Sequence, residues 1–247
     1  MNTQNKKVLI TGGGYGIGFS IAQAFAAKGN QLILTGRKED KLKAAVAQLP
    51  NASYIVGDVT NEQDVTALVK QVKEQYGGID ILVNNAGTGL PQPLDASVNI
   101  YESARYEMEL NYLSVVRLTE LLLPFLKASK EAAIINIESI VSYVPNAGLA
   151  TYSATKAALH SYSQSLRIAL QKSAPQIRVF EVFPPFVDTD LIKSFDVEKL
   201  PPSEVADDII NALEKEEFAI RNGKTKDLYQ LFHQSPEQAL KALNGLA

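Results

Sequence analysis

The 247-residue sequence predicts an α/β fold: a doubly wound, mostly parallel sheet of about seven strands with helices on both faces. Three observations carry this. Short β-branched or aliphatic runs alternate with longer stretches of helical spacing. A glycine-rich turn follows the first run. Further polar motifs fall at or near the ends of later runs. Strand, helix, strand repetition implies parallel strands joined by right-handed crossovers, and such sheets place ligands at the carboxyl ends of their strands.

The first run, Lys7–Thr11, leads into Gly12-Gly13-Gly14-Tyr15-Gly16-Ile17-Gly18. These glycines allow the turn, let backbone approach a pyrophosphate, and bring the helix spanning Gly18–Lys28 close to the sheet, with free N–H groups and partial positive charge at its start. The second strand, Gln31–Thr35, ends at Gly36-Arg37-Lys38 with no carboxylate before Glu39. Folds that prefer NAD place Asp or Glu there, about 20 residues after the glycine turn, to accept from the ribose 2′-hydroxyl. Arg37 instead offers a planar donor fork suited to a 2′-phosphate, and Lys38 adds charge. The lesser alternative is that Arg37 is a solvated loop residue or pairs with Asp40.

A helix over Lys38–Gln48 precedes the strand Ser53–Gly57. Asp58-Val59 follows, where Asp58 could cap the helix Glu62–Tyr76. Asn84-Asn85-Ala86-Gly87 follows the strand Asp80–Val83, and Asn85 could be a turn residue. The long helical stretch Tyr101–Lys127 carries Asn111 at mid-length, where asparagine has poor propensity. After the strand Ala133–Glu138 comes Ser139, with Ser142 as a second candidate hydroxyl. Tyr152 and Lys156, at the start of the helix Ser153–Lys172, are four apart and share a face, so an ammonium lies beside a phenol and favours its ionised form. The strand Ile177–Val182 leads into Phe183-Pro184-Pro185-Phe186-Val187-Asp188-Thr189, a loop stiffened by Pro185. A shorter strand, Phe218–Arg221, and helices around Thr225–Phe232 and Pro236–Asn244 complete the chain.

Composition narrows the chemistry. Cysteine is absent, so there is no disulfide, thiolate nucleophile or Cys-ligated metal. The two histidines, His160 and His233, lie in no metal-ligand spacing along the chain, and no metal is expected. A net charge of −3 argues against a nucleic-acid or anionic-membrane partner. The most apolar run, Leu118–Leu126, contains Glu120 and Pro124 and is too short to span a bilayer. The short polar leader before Lys7 does not read as a secretory signal. A soluble cytoplasmic protein is the expectation.

Thr11 to Gly18 matches the Thr-Gly-x-x-x-Gly-x-Gly signature of the short-chain dehydrogenase/reductase family without a gap, and Tyr152-Ser153-Ala154-Thr155-Lys156 supplies its Tyr-x-x-x-Lys. The chain resembles that family up to about Pro202. The resemblance implies one Rossmann domain over residues 1–247. It implies a dinucleotide held by Gly12, Gly16, Ile17 and Gly18, by Arg37, Asp58, Val59 and Asn85, by Tyr152 and Lys156, and by Val187 and Thr189. Asp58 would meet the adenine, Asn85 brace the sheet and line the cofactor, Val187 the carboxamide and Thr189 the pyrophosphate. It also implies a catalytic tetrad. Ser139 binds the substrate oxygen, Tyr152 transfers the proton, Lys156 holds the nicotinamide ribose, and Asn111 anchors a water chain to Lys156. Pro-Pro stands where the family usually has Pro-Gly, and this feature and the tail resemble a DltE-like branch that includes proteins named for D-alanine transfer to cell-wall polymers.

The activity this implies is reversible hydride transfer between NADP(H) and a small-molecule ketone, aldehyde or secondary alcohol, foremost carbonyl reduction. The alternatives are an NAD-dependent alcohol or sugar dehydrogenase and a non-catalytic dinucleotide-binding redox sensor. Apolar loop residues, among them Leu90, Leu94, Val141, Leu149, Leu191 and Phe195, suit hydrophobic carbonyls. A homodimer is expected through Tyr112–Lys127 and Ser153–Lys172, with Val115, Leu118, Leu122, Ala154, Ala157, Ala158 and Ala169 at the contact; a tetramer is possible.

Overall fold

The computed structural model describes residues 1–92, 94, 99–189, 192 and 197–246. Seven strands form one sheet: β1 (Lys7–Thr11), β2 (Gln31–Gly36), β3 (Ala52–Val56), β4 (Ile81–Asn84), β5 (Ala132–Ile137), β6 (Ile177–Phe183) and β7 (Ala219–Arg221). Their order is β3-β2-β1-β4-β5-β6-β7, and every pairing is parallel. The chain starts at the centre, winds outward to β3, then crosses to β4 and winds the other way. The switch point therefore lies between β1 and β4, where the glycine turn and Asn84-Asn85 emerge together.

Both faces of the sheet are covered, which is why β4 and β5 are buried along their whole length and read as continuous apolar runs. Alternation along each strand divides the core in two. Val8 and Ile10 of β1 point toward α1 (Gly16–Ala27), α2 (Glu39–Val46) and α7 (Pro202–Lys215), whose Phe25, Leu42, Ile209 and Leu213 complete that layer. Leu9 points the other way, toward α3 (Glu62–Tyr76), α5 (Ser114–Ala128) and α6 (Ala150–Ser173), with Leu68, Val72, Leu122 and Leu170. Helix α7 is absent from the sequence reading, although Pro202 at its first turn and the apolar spacing of Val205, Ala206, Ile209, Ile210 and Leu213 signal it.

The stretch Tyr101–Lys127 is not one α-helix. It comprises α4 (Ile100–Met108), a π-turn at Glu109–Leu113 and α5, and Asn111 sits in the π-turn. Val115, Leu118 and Leu122, expected at a dimer contact, are buried in the chain's own core, whereas Leu113, Leu121, Ala154, Ala157, Ile168 and Ala169 face outward.

Beyond β6, a parallel bridge joins Val187 to Leu200, flanked by Asp188 N–H donating to Leu200 O (2.9 Å) and Leu200 N–H to Phe186 O (2.8 Å). The tail helices α8 (Thr225–Gln234) and α9 (Pro236–Asn244) return to the 143–147 loop. There Asn244 Oδ1 accepts from Ala147 N–H at 2.7 Å and its Nδ2 donates to Pro145 O at 3.0 Å. Among the described residues no helix is long and apolar enough to cross a membrane.

Candidate active site

Among the described residues a cleft runs over the carboxyl ends of β1 to β6. Among the residues that line it are Gly12, Gly16, Ile17, Arg37, Asp58, Val59, Asn85, Ser139, Tyr152, Lys156, Val187 and Thr189. Gly18 and Asn111 stand behind this wall.

At one end the backbone makes the surface. Gly12 has φ +65°, and a Cβ there would lie 2.9 Å from Asn85 Nδ2. At Gly18 a Cβ would lie 2.3 Å from the Gly12 carbonyl oxygen and 2.5 Å from Asn85 Nδ2. Asn85 explains this crowding: it reaches across from β4 to donate to Thr11 O (2.9 Å) and Gly12 O (3.2 Å), so it braces the turn while lining the cleft. Helix α1 starts with no side-chain cap and no acid in its first turn, so its N–H groups and partial positive charge remain available to an anion. The cradle is the right kind for a pyrophosphate. Thr189 reaches the same place, its Cγ2 being 3.2 Å from where a Gly16 Cβ would be.

At the ends of β2 and β3, Arg37 does not pair with Asp40. Its Nη1 donates to the Tyr106 hydroxyl (3.0 Å) and lies 3.6 Å from Asp58 Oδ2. Asp58 does not cap α3; its Oδ1 accepts from Thr60 N–H (2.9 Å), and Asn61 is the cap, accepting from the N–H groups of Gln63 and Asp64. Lys41 joins Arg37 and Lys38 on the cleft wall. It went unread in the sequence, although its place one turn after Lys38 was visible there.

The other end is built from buried side chains. Tyr152 lines the cleft with Ser139, and desolvation pushes its pKa up to about 12. Desolvation is the largest influence on the phenol, Ser139 opposes it and Glu107 adds to it, and Lys156 Nζ lies 5.7 Å from the ring centre. Lys156 is 4% exposed and donates to Ile137 O at 2.7 Å; burial pushes it down to about 8, partly opposed by Glu138. Ser142 is turned away from the cleft and accepts from Ser139 N–H at 3.3 Å.

Asn111 is clamped on both sides. Its Oδ1 accepts from Thr88 N–H (2.9 Å), and its Nδ2 donates to Thr88 O (2.8 Å) and Thr155 Oγ1 (3.0 Å). A Cβ at Gly87 would lie 3.1 Å from Asn111 Oδ1 and 3.6 Å from Lys156 Nζ, so glycine leaves the gap between them open. Glu107, also unread in the sequence, is wholly buried and accepts from Leu90 N–H at 2.7 Å, holding the loop beside Tyr152.

On the substrate side, Pro91, Val141, Leu149, Phe186 and Ile192 line the cleft. Leu191 and Phe195 lie outside the described residues. Tyr143 is packed away from it, stacked on Phe183 with ring centres 4.5 Å apart.

Folding also makes a grouping that local spacing conceals. Glu138, His160 and Glu181 bring three potential ligand atoms within 4.8 Å of one another. His160 Nδ1 is 2.5 Å from Glu181 Oε1 and 3.3 Å from Glu138 Oε2, and Arg167 pairs with the second oxygen of Glu181. Two carboxylates thus face two cations, the imidazole being pushed up to about 9 by these carboxylates against the effect of burial.

Comparison with known proteins places this geometry. A family profile described as short chain dehydrogenase matches residues 6–199. An uncharacterized oxidoreductase of Bacillus subtilis, DltE, is 38% identical over 193 residues, 77% of this chain and 75% of that protein. One from Staphylococcus saprophyticus is 34% identical over 221 residues, 86% of this chain and 92% of its own. A short chain dehydrogenase from Burkholderia cenocepacia, solved in complex with NADP, superposes with a TM-score of 0.85 at 28% identity, covering 98% of each chain. A Burkholderia phymatum enzyme in complex with NAD shares the fold, with a TM-score of 0.86 at 22% identity over 96% of each chain.

Proposed function

The chain belongs to the short chain dehydrogenase family, and from that premise we propose that it is a cytoplasmic NADP-dependent carbonyl reductase whose whole length forms one nucleotide-binding domain. The family binds a nicotinamide dinucleotide, which when bound supplies a hydride to a carbonyl carbon or takes one from a carbinol. The cradle at Gly12, Gly16 and Ile17 suits its pyrophosphate, with Asn85 and Thr189 at the rim. Asp58 and Val59 would face the adenine, and Val187 the carboxamide.

NADP is favoured by the end of β2, where Arg37, Lys38 and Lys41 line the cleft and the strand itself ends in no carboxylate, the neighbouring Asp58 of the β3 end lying 3.6 Å from Arg37. The NADP complex of the Burkholderia cenocepacia relative is consistent with this reading.

One observation carries the chemistry: the half-buried Tyr152 meets Ser139 inside the cleft, with Lys156 Nζ 5.7 Å from its ring centre. In reduction Ser139 donates to the substrate oxygen, and Tyr152 gives that oxygen its proton as hydride reaches the carbon. Lys156 restores the phenol's proton, and Asn111 with the gap at Gly87 provides the route from solvent. The apolar wall of Val141, Leu149, Phe186 and Ile192 selects uncharged, hydrophobic carbonyl compounds. The outward residues of α5 and α6, including Leu121 and Ile168, supply a homodimer contact; a monomer by light scattering at micromolar concentration would remove that part of the proposal.

The experiment follows NADPH absorbance in the near ultraviolet against activated ketones and aldehydes, then NADP against secondary alcohols. Turnover of apolar carbonyls is expected. Tight NADPH binding with no turnover across the panel would replace the enzyme by a dinucleotide-binding sensor.

A further inference from the structure

Along α6, Tyr152, Lys156, His160, Ser163 and Arg167 recur at helical spacing and form one stripe toward the sheet. Opposite it stand Glu138, just after β5, and Glu181 of β6. Charges alternate along this seam: Lys156, Glu138, His160, Glu181, Arg167. The outer part is matched, since Glu181 is held by both His160 and Arg167. Glu138 is not. Its side chain is 0% exposed, and among the described residues neither oxygen makes a well-formed hydrogen bond and the one ionic contact is His160 Nδ1 at 3.3 Å.

A buried carboxylate so poorly satisfied costs the fold stability. Its place in the chain suggests what it contributes. It follows Ile137, whose carbonyl oxygen accepts from Lys156 Nζ at 2.7 Å, precedes Ser139, and lines the same cleft as both. We propose that Glu138 is a positioning residue of the proton-transfer site: its carboxylate, set in the seam 3.3 Å from Nδ1 of His160, which lies one helical turn from Lys156 along α6, supports the ammonium form of Lys156. This deepens the function proposed above and rests on it for the role of Lys156.

The groups facing Glu138 are Lys156, His160 and Ser163 from α6, Glu181 from β6, and Tyr143 from the following loop, with Arg221 over the Tyr143 ring. Burial pushes Glu138 up to about 7, with Glu181 adding to it and His160 opposing. Burial lowers Lys156, and the Glu138 charge opposes that. Protonating or removing Glu138 therefore lowers the pKa of Lys156 further.

The test reads Lys156 directly. In protein labelled with 13C-lysine, the Cε resonance of Lys156, identified by its loss in Lys156→Arg, is followed against pH. Its midpoint is expected to fall by about one pH unit in Glu138→Gln, the effect of losing one nearby opposite charge. His160→Gln should lower it too, by removing the cation that keeps Glu138 ionised, and Glu138→Asp should restore part of the wild-type value. If Glu138→Gln does not fold by circular dichroism, His160→Gln decides. A midpoint within about 0.2 unit of wild type in the folded variants overturns the proposal, since a nearby opposite charge shifts a pKa by far more. The titration needs no turnover, so it stands even if the reductase reading fails. Where turnover is found, the basic limb of kcat/KM should move with the midpoint, which a purely structural Glu138 would not cause.

Discussion

The two ends of the cleft are built on opposite plans. At the glycine turn the surface exists because side chains are missing: Gly12 and Gly18 let β1, α1 and Asn85 crowd to distances no Cβ would tolerate. At the start of α6 the surface consists of side chains, and burial sets their properties, holding Tyr152 protonated and pushing Lys156 down. The first end is governed by steric exclusion and hydrogen-bond geometry, the second by charge in a low-dielectric setting. Substitutions should therefore fail by shape at one end and by chemistry at the other.

The largest effect should come from chemistry without shape. Tyr152→Phe keeps the ring and removes the proton donor, so turnover should fall by about 10²- to 10⁴-fold while NADPH binding is nearly unchanged. Retention of more than about a tenth of wild-type turnover would exceed what loss of a general acid permits. Shape without chemistry comes next. Gly18→Ala introduces strain of about 1–3 kcal/mol, which expressed as lost NADPH affinity is roughly 5- to 150-fold in a fluorescence titration. Gly14→Ala is its control: the nearest atoms would be 3.4 Å away, and binding should hold. Equal losses in the two would show that the turn's glycines are not distinguished by crowding.

Arg37→Asp, between the two ends, should change the NADPH over NADH preference in kcat/KM by about 10- to 100-fold, the loss of a charge-assisted phosphate contact. A wild-type enzyme that favours NADH would reverse the cofactor assignment. The smallest effect is on stability. His160 has its folded pKa raised from 6.5 to about 9, so its pairing stabilises the fold fully below pH 6.5 and is lost as pH rises through 9. The melting temperature should drop by a few degrees more in wild type than in His160→Gln across that window, roughly what a kcal/mol shifts in a chain of this size. Parallel pH profiles in calorimetry would mean that His160 is not protonated in the folded state.

This division also accounts for what could be read from the sequence. The glycine turn, Asn85 and the ends of β1 and β4 are local motifs, and the residues named from them meet in one cleft. Tyr152 and Lys156 were legible for the same reason, lying one helical turn apart. What escaped is tertiary. His160 lies 21 residues before Glu181, and only the packing of α6 on β6 joins them. The π-turn that carries Asn111 breaks a helical pattern that runs on unbroken in the sequence. Desolvation of Tyr152 likewise has no signature in a pentapeptide, where the spacing shows only the neighbouring Lys156.

The bridge between Val187 and Leu200 bears on how such a protein can be altered. The bridge ties the chain together at the cleft-lining Val187 and again just before α7. Lengthening a tethered loop adds only a slowly growing closure entropy, about 0.6 kcal/mol per doubling. Substitutions within this span reach two places at once, Thr189 beside Gly16 at the glycine cradle and Ile192 on the substrate side, while the α6 seam remains untouched.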